Sequence, residues 1–340
     1  MKGDQTMSNI KRAVTLYSLQ DQYARKKMTL DEIVGFVKNE MGAEGIEVIP
    51  DQMIPGSPNP SEETLKEWDR IIDKYQIDPF CAGIYTNDKL YKNRLLTVRE
   101  SASNLIDGIR LAHRLGCSMI KVVSTTRTEV VEMALPEAEK YGITITSEIH
   151  GGMSFNMPYV KAYVELLERL QSPYLGFTID TGIFCRRHPR ASTNYFRLLG
   201  MDNQYLEEYI DDIFAQGTDP NAFFMEHPEK MGAMMEKCSN ELERLYLIYS
   251  TGYDNNPLTI LDEYWPYVKY IHGKVWEMTD EGQEYSIPYD EVIAYLDQKG
   301  YDGYINTEYE GNRFTPPGQT VQEIEQVTRH QKLLKQLIEG

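Results

Sequence analysis

Strand-like and helix-like segments alternate from near the start of this chain to its end, and no other feature limits its possible folds as strongly. Residues 13–18 read as a strand. Thr29-Leu30-Asp31-Glu32 matches a capping box and opens a helix to about Met41. Residues 45–49 form a second short strand stopped by Pro50, Ser61 starts another helix, and residues 80–85 give a third strand. A helical pattern through Leu111 and Leu115 precedes a strand at 119–124, and a helix at 130–141 leads into one at 143–150. Residues 159–170 look helical, 174–180 form a sixth strand, 268–272 and 303–308 a seventh and eighth, and an amphipathic helix closes the chain at 321–338.

Strands alternating with helices imply parallel βαβ units. Eight such units in 340 residues predict an α/β fold, a (β/α)8 TIM barrel, as one domain over 1–340. An open doubly wound sheet is the alternative. One interval breaks the rhythm. Roughly 25 to 40 residues separate most strand starts, but about 90 separate the sixth from the seventh. The excess predicts a helical insertion at 190–265 between strands 6 and 7, rich in Met, Tyr and Phe. It suits a cover for the barrel mouth, a docking face for a partner or an extra packed layer.

Side chains two apart on a strand share a face, so Glu148 and His150 project together from the fifth strand. The last four strands end in Glu148, Asp180, His272 and Glu308. In a barrel these ends converge on one mouth. Three carboxylates crowded in a partly dry cavity repel one another, and a divalent cation is the simplest remedy. Oxygen-rich ligation with one nitrogen suits Mn²⁺ or Mg²⁺, with Co²⁺ or Fe²⁺ also possible, more than a structural zinc. For each residue taken singly, a salt bridge or surface charge remains the alternative.

Charge narrows the partners. A net charge of −17 and a pI of about 4.9 repel phosphate backbones, which argues against nucleic acid and anionic membranes. The start of the chain, residues 1–8, has no apolar signal-peptide region, and no apolar run approaches spanning length. Cys81, Cys117, Cys185 and Cys238 are scattered, as expected for reduced thiols in a cytoplasmic protein. No Gly-x-Gly-x-x-Gly or Walker-type loop is present, so no nucleotide cofactor is expected.

The Glu, Asp, His, Glu series on strands five to eight resembles that of the xylose isomerase-like TIM-barrel superfamily of sugar isomerases, ketose epimerases and apurinic-site endonucleases. That resemblance implies Glu148, Asp180, His272 and Glu308 as metal ligands. Asp180 is followed by Thr181-Gly182-Ile183, and the third strand ends Tyr85-Thr86-Asn87, without the additional histidines of the endonucleases. The seventh-strand segment His272-Gly273-Lys274-Val275-Trp276-Glu277 lacks the downstream acid and arginine of typical ketose epimerases. Glu148-Ile149-His150, His272-Gly273-Lys274 and the long insertion look most like the α subunit of bacterial C-glycoside deglycosidases, which works with a small β subunit.

That branch implies a 3-oxo-glucoside joined through carbon to a flavonoid-type aglycone. His150 would take the C2 proton, the metal would stabilise the enediolate, and the aglycone would leave from C1 by β-elimination. The competing enzyme reading is a ketose 3-epimerase or sugar isomerase with Glu148 and Glu308 as the acid/base pair. A non-catalytic sugar- or metal-binding barrel is a third. Lys274, Glu310, Glu47 and Arg187 are further candidates for substrate contact, with surface charge or internal salt bridges as the plainer alternatives. Trp276 either stacks an aromatic ring or packs against the insertion.

Overall fold

The structure, a computed structural model, describes residues 8–340. The reading of the chain's start therefore lies almost wholly outside the described residues. Eight parallel strands close into a barrel in sequence order: β1 (Lys11–Thr15), β2 (Gly45–Val48), β3 (Asp78–Gly83), β4 (Met119–Val123), β5 (Thr144–Ile149), β6 (Leu175–Asp180), β7 (Val268–Val275) and β8 (Tyr304–Tyr309). β1 pairs with both β2 and β8, so no edge is left open. This excludes the open sheet.

Local chemistry sets the helices where the sequence marks them. Thr29 and Thr97 each form a complete capping box, with Glu32 and Glu100, at the starts of Leu30–Asn39 and Val98–Arg114. Ser61 caps Glu62–Tyr75 through the Thr64 amide. Several edges differ from the sequence reading by one or two residues, β3 among them at 78–83 instead of 80–85, and two differ by three. β1 stops at Thr15, where a 3₁₀ turn (Leu16–Leu19) takes over, and β7 runs three residues past His272 to Val275.

Most apolar side chains pack between the strands and the surrounding helices, while the barrel's lower interior is closed by Ala13, Phe80, Cys81 and Tyr270. The Phe80 ring stacks on Tyr304 at 4.2 Å and meets Tyr270 edge-on at 5.3 Å. Above this plug the inward positions turn polar. Thr146 and Thr178 hydrogen-bond each other at 2.7 Å, one pleat repeat below Glu148 and Asp180. The four cysteines are free and buried. Among the described residues no helix is long and apolar enough to cross a membrane.

Between β6 and β7 lie the helices Arg190–Leu198, Gln204–Ala215, Pro220–Glu226, Pro228–Glu236, Glu241–Ser250 and Leu261–Tyr264. Their return segment is pressed against the loop that carries His150. A Cβ on Gly151 would come within 2.6 Å of the Gly252 carbonyl oxygen, so only glycine fits there. The Gly152 amide donates to Asp254 at 3.0 Å, and the Asn256 amide donates to the Ile183 carbonyl. The insertion thus clamps the loops that follow β5 and β6.

Candidate metal centre and active site

The inward face of each late strand delivers its polar residue to one cavity of about 940 Å³ at the carboxyl end of the barrel. Its polar floor includes Lys121, Glu148, His150, Asp180, Lys274 and Glu308. Its upper wall is largely aromatic and apolar, with Tyr195, Phe196, Leu245 and Tyr249 from the insertion beside Trp276 and Phe314. Trp276 therefore both packs and faces the cavity, its ring meeting Tyr253 edge-on at 5.2 Å.

Three of the expected ligands converge. Donor atoms of Glu148, His272 and Glu308 lie within 4.8 Å of one another, and all three residues are buried. His272 Nδ1 stands 3.0 Å from Glu148 Oε1 and 3.1 Å from Glu308 Oε2, yet it has no partner in hydrogen-bond geometry among the described residues. On the other side of the ring, Nε2 lies 2.8 Å from Glu47 Oε2. With the ring neutral, as a metal ligand must be, the carboxylate at Nε2 would hold the ring proton there and leave the Nδ1 lone pair aimed between two carboxylate oxygens. An orphaned nitrogen so placed fits a divalent ion. Asp180 stands outside this tight group. Its Oδ1 accepts the Gly182 amide at 2.7 Å and its Oδ2 pairs with the Lys274 ammonium at 2.9 Å.

Two buried lysines complete the centre. Lys121 Nζ lies 2.9 Å from Glu148 Oε2 and 3.9 Å from Glu47 Oε1. Lys274 Nζ lies 2.6 Å from Glu308 Oε2 and 2.7 Å from Glu310 Oε2. Burial opposes the charged form of both, but the carboxylates outweigh it. Glu148 and Glu47 hold the Lys121 pKa well above its ordinary value, and Asp180, Glu308 and Glu310 do the same for Lys274. Burial likewise works against a charged His272, and Glu308 and Glu47 prevail. For Asp180 burial prevails over Lys274 and raises the pKa.

His150 sits just past β5, half-buried on the cavity wall. Its Nδ1 is 3.0 Å from the Gly151 carbonyl oxygen, which can only accept, so Nδ1 carries the proton in the neutral ring. Nε2, 3.4 Å from Ser124 Oγ, is then the basic nitrogen.

Two expectations of substrate contact need correction. Glu47 is fully buried beneath His272, bonded to its Nε2 and to the Tyr270 hydroxyl, so it braces that ring and is closed off from the cavity. Replacing it with glutamine is expected to weaken divalent-ion affinity about 10- to 100-fold, read by isothermal titration. Unchanged affinity would remove that role. Arg187 is exposed and stacks over the Tyr285 ring at 4.5 Å, outside the residues that line the cavity. Lys274 and Glu310, in contrast, do line it. Lys121 escaped the sequence reading, although a lysine inside the apolar run Met119-Ile120-Lys121-Val122-Val123 was its signal.

A family model described as xylose isomerase-like TIM barrel matches residues 38–213, more than half of the chain. The chain belongs to the xylose isomerase-like TIM-barrel family. Within curated proteins, this family member is 27% identical to a C-glycoside deglycosidase alpha subunit from Arthrobacter globiformis, over 88% of its own length and 84% of the relative's. It is 26% identical to a 3'-dehydrocarminate deglycosidase alpha subunit from a Microbacterium species, over 88% and 87% of the two chains. Among solved structures, D-allulose 3-epimerase from a Methylomonas species in complex with D-allulose shares the fold at a TM-score of 0.57 and 11% identity, covering 96% of each chain.

Proposed function

We propose that this chain is the catalytic α subunit of a C-glycoside deglycosidase that releases an aromatic aglycone from a 3-oxo-C-glucoside. The observation that carries this reading is the placement of His150. Among the described residues its ring bonds only a carbonyl and a hydroxyl, which makes Nε2 the unprotonated nitrogen of the neutral ring, on a residue that lines the cavity together with Glu148 and Glu308. The relatives named as deglycosidase alpha subunits support the same reading over most of the chain.

The chemistry follows from elimination. Hydrolysis of an unactivated carbon–carbon bond has no leaving group; a carbonyl at C3 makes the C2 proton acidic and places C1 in the β position. Glu148, Asp180, His272 and Glu308 would hold a divalent ion, with manganese favoured by the donor set, and such an ion would supply Lewis acidity for this carbonyl. His150 Nε2 removes the C2 proton. The C2–H electron pair becomes the C1=C2 double bond, the bond from C1 to the aryl carbon breaks, and its electrons leave with the aglycone, whose carbon takes up a proton. The products are an unsaturated keto-sugar and the free aglycone. The aromatic upper wall from the insertion, with Trp276, suits a flat ring system above the sugar.

An epimerase would need Glu148 and Glu308 to shuttle protons. Each instead lies against an ammonium, Lys121 and Lys274 respectively, which stabilises the carboxylate and weakens it as a base. Because its relatives are named alpha subunits, we assign this chain a small β-subunit partner, with the cytoplasm as its compartment. The deciding experiment is anaerobic incubation of manganese-loaded protein, with and without that subunit, with a 3-oxo-C-glucoside and separately with ketohexoses. Free aglycone is expected in the complete mixture. Ketohexose epimerisation without aglycone release would overturn the assignment.

A further inference from the structure

Lys274 places a fixed positive charge inside a site that, on the reading above, must hold another. It follows His272 by two positions on β7 and so shares the inward face. Its backbone is pinned on both sides: the amide donates to Thr181 Oγ1 at 2.9 Å and the carbonyl accepts the Tyr289 hydroxyl at 2.6 Å. Its stem runs past Gly182, where an added Cβ would lie 3.4 Å from Lys274 Cγ and 3.0 Å from Asp180 Oδ1. Only the flexible end of the side chain has freedom to move.

The two buried ammonium groups stand in different relations to the cluster. Lys121 binds Glu148 through Oε2, while Oε1 of the same carboxylate faces His272 Nδ1. It orients a ligand from behind. Lys274 binds Glu308 through Oε2, the same oxygen that lies 3.1 Å from His272 Nδ1, and it also holds Asp180 Oδ2. Two cations cannot share those oxygens without mutual repulsion. Glu310, 2.7 Å from the ammonium through Oε2 and paired with Arg313 through Oε1, lies outside the Glu148, His272 and Glu308 group, and the Trp276 ring centre is 5.4 Å from the ammonium. Together they offer the ammonium another resting place.

We propose that Lys274 is a built-in counter-cation that competes with a divalent ion for the Asp180 and Glu308 carboxylates, and that Glu310 and Trp276 receive its ammonium when the ion is held. The proposal rests on the site being a divalent-ion centre. It gives the site a set affinity: the carboxylates stay neutralised without the ion, and the ion is held less tightly than the ligands alone would hold it.

The test is manganese titration of the purified full-length chain without substrate, by calorimetry and by the electron paramagnetic resonance of free Mn²⁺. Wild type is expected to bind one ion. Lys274→Met is expected to bind it about tenfold tighter or more, since a full charge beside two ligand oxygens is removed, and to gain more in Tm on manganese addition. Glu310→Gln, which strands the ammonium on the ligands, is expected to bind several-fold more weakly. If wild type bound no divalent ion, the reading of the site as an ion centre would fall. If wild type bound one ion but Lys274→Met bound it equally or more weakly, the competition would be refuted while the centre stood. Should Lys274→Met fold poorly, Glu310→Gln decides: affinity equal to or above wild type refutes the proposal.

Discussion

His150→Gln is expected to lower kcat/KM on a 3-oxo-C-glucoside by roughly a thousandfold, the range spanned by losing a general base. Ion content and Tm should stay at wild-type values, because among the described residues the His150 ring bonds only Gly151 and Ser124 and none of the Glu148, His272 and Glu308 donors. The rate on a substrate deuterated at C2 gives a second check. Wild type should show a primary isotope effect if proton removal limits the rate, and the variant should show one at least as large. A variant within a few-fold of wild type would transfer the base's role to another group, with the cavity's carboxylates the first to consider.

Removing the ion is expected to have the second large effect. The centre buries five carboxylates, Glu47, Glu148, Asp180, Glu308 and Glu310; Lys121, Lys274 and a protonated His272 are the cations buried among them, and Arg313 pairs with Glu310 from the cavity side. Like charges so close cost free energy unless a further cation joins them. Chelation should therefore abolish aglycone release, and manganese should restore it. Because the ion binds the folded chain, saturating it at about a thousand times Kd should add about 4 kcal/mol of stability. That appears as a rise in Tm of several degrees. Glu148→Gln should lose both the restored activity and the rise in Tm. Activity that survives exhaustive chelation would contradict this.

The barrel was legible in the sequence because a strand's two-residue period and a helix's capping residues are local signals. Thr29 and Ser61 lie where those signals place them, and the ends of β5, β6 and β8 fall within one residue of the reading. Depth within the barrel is not local. Glu47 shares the inward face, but the stagger of β2 sets it below His272, out of reach of substrate. Asp180 arrives at the right strand end, yet Gly182 and Lys274 claim its two oxygens. Lys274 was legible only in part, since its inward direction depends on β7 continuing to Val275. Arg187 misled because a basic residue after β6 says nothing about which way its loop turns; here it turns out over Tyr285. The helices Gln204–Ala215 and Glu241–Ser250 were foreseeable from periodicity, whereas the clamp of Gly252 and Asp254 on the His150 loop is tertiary packing.

Anomalous scattering at the manganese edge, from crystals of the ion-loaded chain, addresses the central claim most directly. A single peak is expected in contact with His272 Nδ1 and with carboxylate oxygens of Glu148, Asp180 and Glu308, on the side of the imidazole facing away from Glu47. A peak elsewhere, or none at full loading, would contradict the assignment of this strand-end cluster as the centre of the chemistry.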